Sequence, residues 1–110
     1  MNKTAKLLKE EFESSSGSTP QFNDFFKTFK KEVTAVLMGL GCTKVEISKG
    51  HFYASGFFTS PSGQVYYLSL LDVRGNPTQL MYRTAQHYKD FSGGHNQWID
   101  VDKLQNIRLQ

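Results

Sequence analysis

The residues best suited to chemistry lie close together between positions 81 and 100. This block combines hydrogen-bond donors with aromatic rings, in a run that also holds two adjacent glycines. The donors are suited to contact phosphate or an acidic protein groove, and the rings to stack or anchor, because aromatics and Arg dominate interface hot spots. The predicted binding residues are Arg83, His87, Tyr88, Lys89, Phe91, His95, Asn96 and Trp98.

The Ser-Gly-Gly run at 92–94 adds a second way to bind an anion. Successive backbone N–H groups in such a turn can close around a phosphate or a carboxylate. The phosphate-loop pattern is incomplete, since neither a Gly-Lys-Ser/Thr ending nor a long helix follows. An alternative stays open, in which the block is a loop that seals the core and the glycines bend the chain. If the block is a binding surface, Arg83 and Lys89 should face solvent near Trp98.

A second candidate surface is the aromatic stretch at 51–58, which carries one His, one Tyr and three Phe. Alternate side chains of a strand share a face, so one face should meet the helix. The other face is then able to present aromatics, as in sheets that stack unpaired bases. The alternative is that both faces are covered, and buried aromatics are the commoner case.

Metal or nuclease chemistry has weaker support. The three histidines, at 51, 87 and 95, are far apart and form no helix-spaced pair. His95 and Asn96 match part of a His-Asn-His nuclease motif, but no second His follows. We therefore predict no catalytic residue, no metal and no cofactor. A small metal-dependent nuclease that uses His87, Asp90 and His95 is kept as an alternative.

Length and composition favour one soluble domain over residues 1–110. Hydrophobic residues make up 38% and charged residues 21%, which argues against disorder throughout. The net charge of +3 is only weak support for a polyanionic partner. Cys42 is the single cysteine, which excludes an intramolecular disulfide, and the sequence shows neither a signal peptide nor a membrane-spanning run. We expect a cytoplasmic protein with no membrane partner.

Two helices are predicted ahead of a sheet. A short helix over 1–13 and a flexible linker over 14–19 precede the core at 20–110. The core begins with a long amphipathic helix that ends at Gly39 and Gly41, with Gly41 as a left-handed cap. Its apolar face, at steps of three and four, holds Phe22, Phe25, Phe26, Phe29, Val33, Val36, Leu37 and Leu40.

The apolar pattern then changes to period two, which predicts strands separated by turns. Gly56 is predicted to mark a bulge or a close backbone approach within the second strand. The order of elements predicts an α+β fold, with the N-terminal helices packed on a four- to five-stranded antiparallel sheet. The predicted strands are 44–48, 51–59, 64–71, 79–84 and 97–101, followed by a short closing helix.

From residue 45 onward, and above all at Arg83-Thr84-Ala85, 89–94 and Asn96, the chain resembles small uncharacterised proteins of bacterial phages and conjugative elements. Such elements are also the source of anti-CRISPR proteins, which are small, mostly non-enzymatic and cytoplasmic. They commonly act by occupying a nuclease or its guide RNA. The resemblance matches no specific anti-CRISPR family, so it implies a setting and assigns no site residues.

Together these features predict a non-enzymatic binding protein. Its partner would be nucleic acid, with RNA favoured, or a nuclease–guide complex, and its role that of a phage or mobile-element inhibitor of a host defence nuclease. Besides the nuclease, a homodimeric protein-interaction scaffold joined through the exposed strand face is an alternative.

Overall fold

One long helix and five antiparallel strands form the part of the chain that the structure describes. The computed structural model describes Thr4 and residues 20–49, 54–70 and 79–110. The elements are α1 (Pro20–Gly39), β1 (Thr43–Lys49), β2 (Ala54–Thr59), β3 (Val65–Leu70), β4 (Gln79–Ala85), β5 (Gln97–Asp100) and a 3₁₀ helix (Val101–Asn106). The predicted α+β class and antiparallel sheet are confirmed. Apart from Thr4, the helix predicted over 1–13 and the linker over 14–19 lie outside the described residues.

The sheet is a meander in which each strand pairs with the next one along the chain. β3 lies at its centre, and β1 and β5 form its two edges. A register shift between Thr43 and Glu46 places the irregularity in β1. Gly56 on the neighbouring strand marks a close approach, since a Cβ there would lie 2.0 Å from the carbonyl oxygen of Glu46.

α1 covers one face of this sheet. Its buried side chains Phe25, Phe29, Val33 and Leu37 recur every four residues and share one core cluster with apolar side chains of the sheet. The helix ends in a Schellman motif: Cys42 N–H donates to the Leu37 carbonyl at 3.0 Å, and Gly41, at φ +89°, adopts the left-handed conformation that we predicted. No helix in the described part of the chain is long and apolar enough to cross a membrane.

The opposite face of the sheet carries a second, smaller core cluster. Phe57, Tyr67, Met81 and Ala85 are buried there, although α1 lies on the other side. The partly buried side chains that pack against them are Val65, Tyr88 and Trp98. Two of these come from the block at 81–100, so that block helps to cover the sheet.

We expect Phe29→Ala to lower the free energy of unfolding by about 3–5 kcal/mol, the usual cost of truncating a buried Phe. Phe29 is only 1% exposed and stacks on Phe25 with ring centroids 5.9 Å apart. A urea melt measures the loss. Met38→Ala is the matched control on the same helix, because Met38 is 62% exposed and should change stability little. Equal melts for the two variants would contradict the packing of α1 described above.

Candidate binding cleft beside strand β1

The segment from 86 to 96 folds back over the second face of the sheet. Tyr88 stacks on Phe57 with ring centroids 5.6 Å apart. Phe91 contacts Phe57 and Tyr67 edge-on, at 5.5 and 5.6 Å. Such aromatic pairs favour these offset and T-shaped arrangements. The core-sealing alternative from the sequence therefore describes this segment well.

Tyr88 ties the segment to the far side of the sheet. Its hydroxyl donates to the backbone carbonyl of Lys44 at 2.6 Å and lies 2.9 Å from Thr59 Oγ1. Lys44 belongs to β1, whereas the segment leaves the sheet from β4, so the chain crosses two intervening strands. The crossing places residues 88–91 beside the edge strand.

Arg83, on β4, connects the segment to the sheet beneath it. Its guanidinium carbon lies 5.0 Å from the centroid of the Tyr67 ring. The guanidinium also donates to Asn96 Oδ1 at 3.2 Å and to the backbone carbonyl of Phe91. Arg83 is half-buried. The expectation of a solvent-facing Arg83 is therefore not met, because the planar fork serves two acceptors within the fold.

Two of the three backbone N–H groups in the predicted anion site at 92–94 already have acceptors within the chain: that of Ser92 donates to Asp90 and that of Gly94 to the Thr84 carbonyl. Asp90 accepts from the backbone N–H of Gln86 at 2.9 Å and of Ser92 at 3.1 Å, and from the Ser92 hydroxyl at 3.0 Å. These hydrogen bonds to the charged form hold the pKa of Asp90 below its ordinary value. The Asp90 carboxylate is thus the acceptor for two backbone N–H groups beside this turn.

The two glycines allow close approach to β4. Gly94 N–H donates to the Thr84 carbonyl at 2.9 Å. A Cβ on Gly93 would lie 2.0 Å from that carbonyl oxygen, and a Cβ on Gly94 2.4 Å from Thr84 Oγ1. A side chain at position 93 would push the segment off the strand, whereas one at position 94 would require the Thr84 side chain to shift.

The remaining predicted residues divide between surface and core. Lys89, His87 and His95 are exposed, and Phe91 is 44% exposed. Trp98 is half-buried, packs on the second cluster and pairs with Met81 across β4 and β5. Of the eight predicted residues, four are therefore exposed and four, Arg83, Tyr88, Asn96 and Trp98, are half-buried.

A metal centre is not formed by the candidate residues of the nuclease alternative. His87, Asp90 and His95 all lie in the described ranges, where no group of three His, Cys, Asp or Glu side chains is placed to hold an ion. His87 Nδ1 is instead 2.8 Å from the carbonyl oxygen of Tyr88. His51 lies outside the described residues.

A cleft of about 510 Å³ opens where the segment meets β1. Its wall combines aromatic and charged side chains from α1, β1, β2 and the segment. The residues that line it are Lys30, Val45, Glu46, Ile47, Ser48, Ser55, Gly56, Phe57, Tyr88, Lys89 and Phe91. Tyr88, Lys89 and Phe91 were predicted from sequence. Lys30 and Glu46 were not, because only the tertiary arrangement brings α1 and β1 beside residues 88–91.

Two lysines near this cleft have a backbone conformation that is uncommon for residues with a side chain. Lys89 lies at φ 73° and Lys44 at φ 51°. The left-handed region costs a non-glycine residue roughly 1–2 kcal/mol. Tyr88 connects both positions, since it precedes Lys89 and donates to the carbonyl of Lys44. Strain of this kind tends to cluster at functional sites.

Comparison with known proteins gives no assignment for this arrangement. No protein-family model, no curated protein and no solved structure shows significant similarity to the chain.

We expect Arg83→Ala to destabilise the fold by about 1–3 kcal/mol, because it leaves the Phe91 carbonyl without its charged donor. Hydrogen exchange should speed up across 86–96 in the same variant. Lys103→Ala is the charge-matched control: its ion pair with Asp100 spans 3.9 Å at the surface and should contribute under about 1 kcal/mol. If Arg83→Ala melts like the control and exchanges like the wild type, Arg83 does not hold the segment.

Acid should loosen the turn around Asp90. Because the folded pKa lies below the ordinary 3.8, the ionised carboxylate stabilises the folded turn above that value. The stabilisation is lost as the pH falls from about 3.8 through the lower folded pKa. NMR titration should show the amide signals of Gln86 and Ser92 shifting in that range. Asp90→Asn is the control and should abolish the titration; an unchanged titration in that variant would assign it to another carboxylate.

Proposed function

We propose that the protein is a non-enzymatic binding protein that engages single-stranded nucleic acid, with RNA favoured, at the cleft beside β1. The observation that carries the proposal is the ring of Phe91. It is 44% exposed, lines the cleft, and is positioned by Phe57 and Tyr67 beneath it. A preorganised ring at a cleft is suited to stacking with an unpaired base.

The charges around this ring suit a phosphate backbone. Lys30 and Lys89 line the same cleft from two different elements. Neither side chain forms an ion pair or hydrogen bond within the part of the chain that the structure describes. Both side chains are exposed, so their ammonium groups can contact the phosphates that flank a stacked base. RNA is favoured because its unpaired loops and ends are the usual targets of such stacking surfaces.

The biological setting is a further part of the proposal. Inhibition of a host defence nuclease by occupation of its guide RNA would use the same contacts, and this setting is supported by the sequence resemblance alone. A cytoplasmic location belongs with it, since a chain whose single cysteine is free forms no intramolecular disulfide. No described contact favours the homodimeric scaffold or the nuclease over this function.

The proposal predicts separable effects of charge and stacking on RNA affinity, measured by fluorescence anisotropy with a labelled single-stranded 10-mer. Lys30→Ala combined with Lys89→Ala should weaken binding and reduce the log-affinity versus log-salt slope by about 0.7 for each lost phosphate contact. Phe91→Ala should weaken binding roughly 5- to 150-fold with little change in slope, because stacking contributes about 1–3 kcal/mol per base.

Lys103→Ala supplies a control outside the cleft for each single lysine replacement, because the 3₁₀ helix adjoins β5 at the opposite edge of the sheet. It removes one positive charge and should leave affinity and slope nearly unchanged. Urea melts of the lysine variants should agree closely with the wild type, since the replaced lysines are exposed. If the wild-type protein binds no single-stranded RNA, or if the control weakens binding as much as the cleft variants do, the proposed function is wrong.

A further inference from the structure

One carboxylate, that of Glu46, lines the cleft. A carboxylate repels phosphate, so general phosphate binding does not explain its presence. Glu46 lies on β1 directly opposite Phe57 on β2, and both residues line the cleft. Its side chain is exposed and has no hydrogen bond or ion pair to any other described residue. An ionised carboxylate can only accept hydrogen bonds, so its natural partner is a ligand that offers donors.

The position of this carboxylate is set by the sheet. The register of β1 on β2 shifts between Thr43 and Glu46, and the Glu46 carbonyl oxygen comes so close to Gly56 that a Cβ there would lie 2.0 Å away. The backbone of Glu46 is thereby fixed against β2. Only the side-chain torsions remain to be ordered when a ligand binds, which keeps the entropic cost of recognition low.

The four bases differ in the hydrogen-bond donors that they can offer to a carboxylate such as that of Glu46. The Watson–Crick edge of guanine carries N1–H beside the N2 amino group, two adjacent donors that match both oxygens of one carboxylate. Adenine, cytosine and uracil each offer one donor group on that edge, next to acceptors that repel a carboxylate. Unpaired bases expose this edge, whereas paired bases do not.

We propose that the cleft selects an unpaired guanine, with Glu46 accepting from its N1–H and N2 amino group. The base stacks on Phe91, and Lys30 and Lys89 contact the flanking phosphates. This inference rests on the proposed function and names the base that the same site takes. The two lysines also disfavour a basic peptide as the donor-bearing ligand, because one carboxylate does not offset two like charges at the same cleft.

The test uses the full chain and five labelled RNA 10-mers that are uridine throughout except at one central position, which is guanosine, inosine, adenosine, cytidine or uridine. The wild-type protein should bind the guanosine 10-mer at least about fivefold more tightly than the uridine 10-mer, within the range for one bidentate base contact. Inosine lacks the N2 amino group and should lose most of that preference.

Glu46→Gln should remove the preference for guanosine, since an amide presents one acceptor and one donor where two acceptors are needed. Its affinity for the all-uridine 10-mer should stay equal or rise, because a negative charge leaves the cleft. Asp102→Asn is the matched control: it makes the same charge change at an exposed residue of the 3₁₀ helix and should keep the preference for guanosine.

The outcomes separate this inference from the proposed function. Binding of all five RNAs with equal affinity, still dependent on Phe91 and Lys89, would overturn the guanine inference and leave the proposed function standing. A guanosine preference that survives in Glu46→Gln would also overturn it, by removing Glu46 as the reader. Binding of an arginine-containing peptide that Glu46→Gln abolishes, without any guanosine preference, would assign the carboxylate to a protein partner instead. Failure to bind any of the RNAs would overturn both.

Discussion

The fold depends on burying both faces of the central strand β3. Tyr66 and Leu68 are buried on one face of the strand, and Tyr67 is buried on the other face. None of the three side chains is more than 1% exposed. A single helix can cover only one face of a sheet. α1 takes the first face, so the chain needs a second covering element, and the segment at 86–96 supplies part of it. The conformation of that segment is then a requirement of the core.

This requirement explains why polar residues of the segment interact inward. Arg83 places its guanidinium on Tyr67 and donates to Asn96 and to the carbonyl of Phe91. Asp90 accepts hydrogen bonds from two backbone amides of the turn, those of Gln86 and Ser92. A loop without strand or helix pairing needs such side-chain partners to stay in place over an apolar surface. The turn at 92–94, which resembled a phosphate site in the sequence, therefore helps to hold the segment at 86–96 over the sheet.

The sequence predicted the elements that follow a repeating apolar pattern. It did not predict features that depend on a single tertiary contact. Apolar residues at steps of three and four predicted α1, and period-two alternation predicted the strands, because burial of one face imposes those periods. Pattern alone could not show that, in the turn at 92–94, the Ser92 N–H donates to Asp90 two residues earlier and the Gly94 N–H donates to the Thr84 carbonyl. The sequence also could not reveal Glu46 or Lys30 as cleft residues. Their nearness to Phe91 depends on sheet register and on a crossing segment, and neither leaves a periodic signal.

The charges of β1 show how one edge strand can serve two purposes. Edge strands need charges, since an unpaired apolar edge invites pairing with another chain. Lys49 meets that need and also reaches α1, where its ammonium donates to Asn23 Oδ1 at 2.5 Å and lies 5.6 Å from the Phe26 ring centroid. Protection of the edge does not require a carboxylate, because lysine serves equally well there. The cleft otherwise carries positive charge, so a carboxylate beside Phe57 weakens its attraction for a polyanion. This loss is offset only if the carboxylate also accepts specific hydrogen bonds from the ligand. The sign of the charge at Glu46, rather than the presence of a charge, is what points to base recognition.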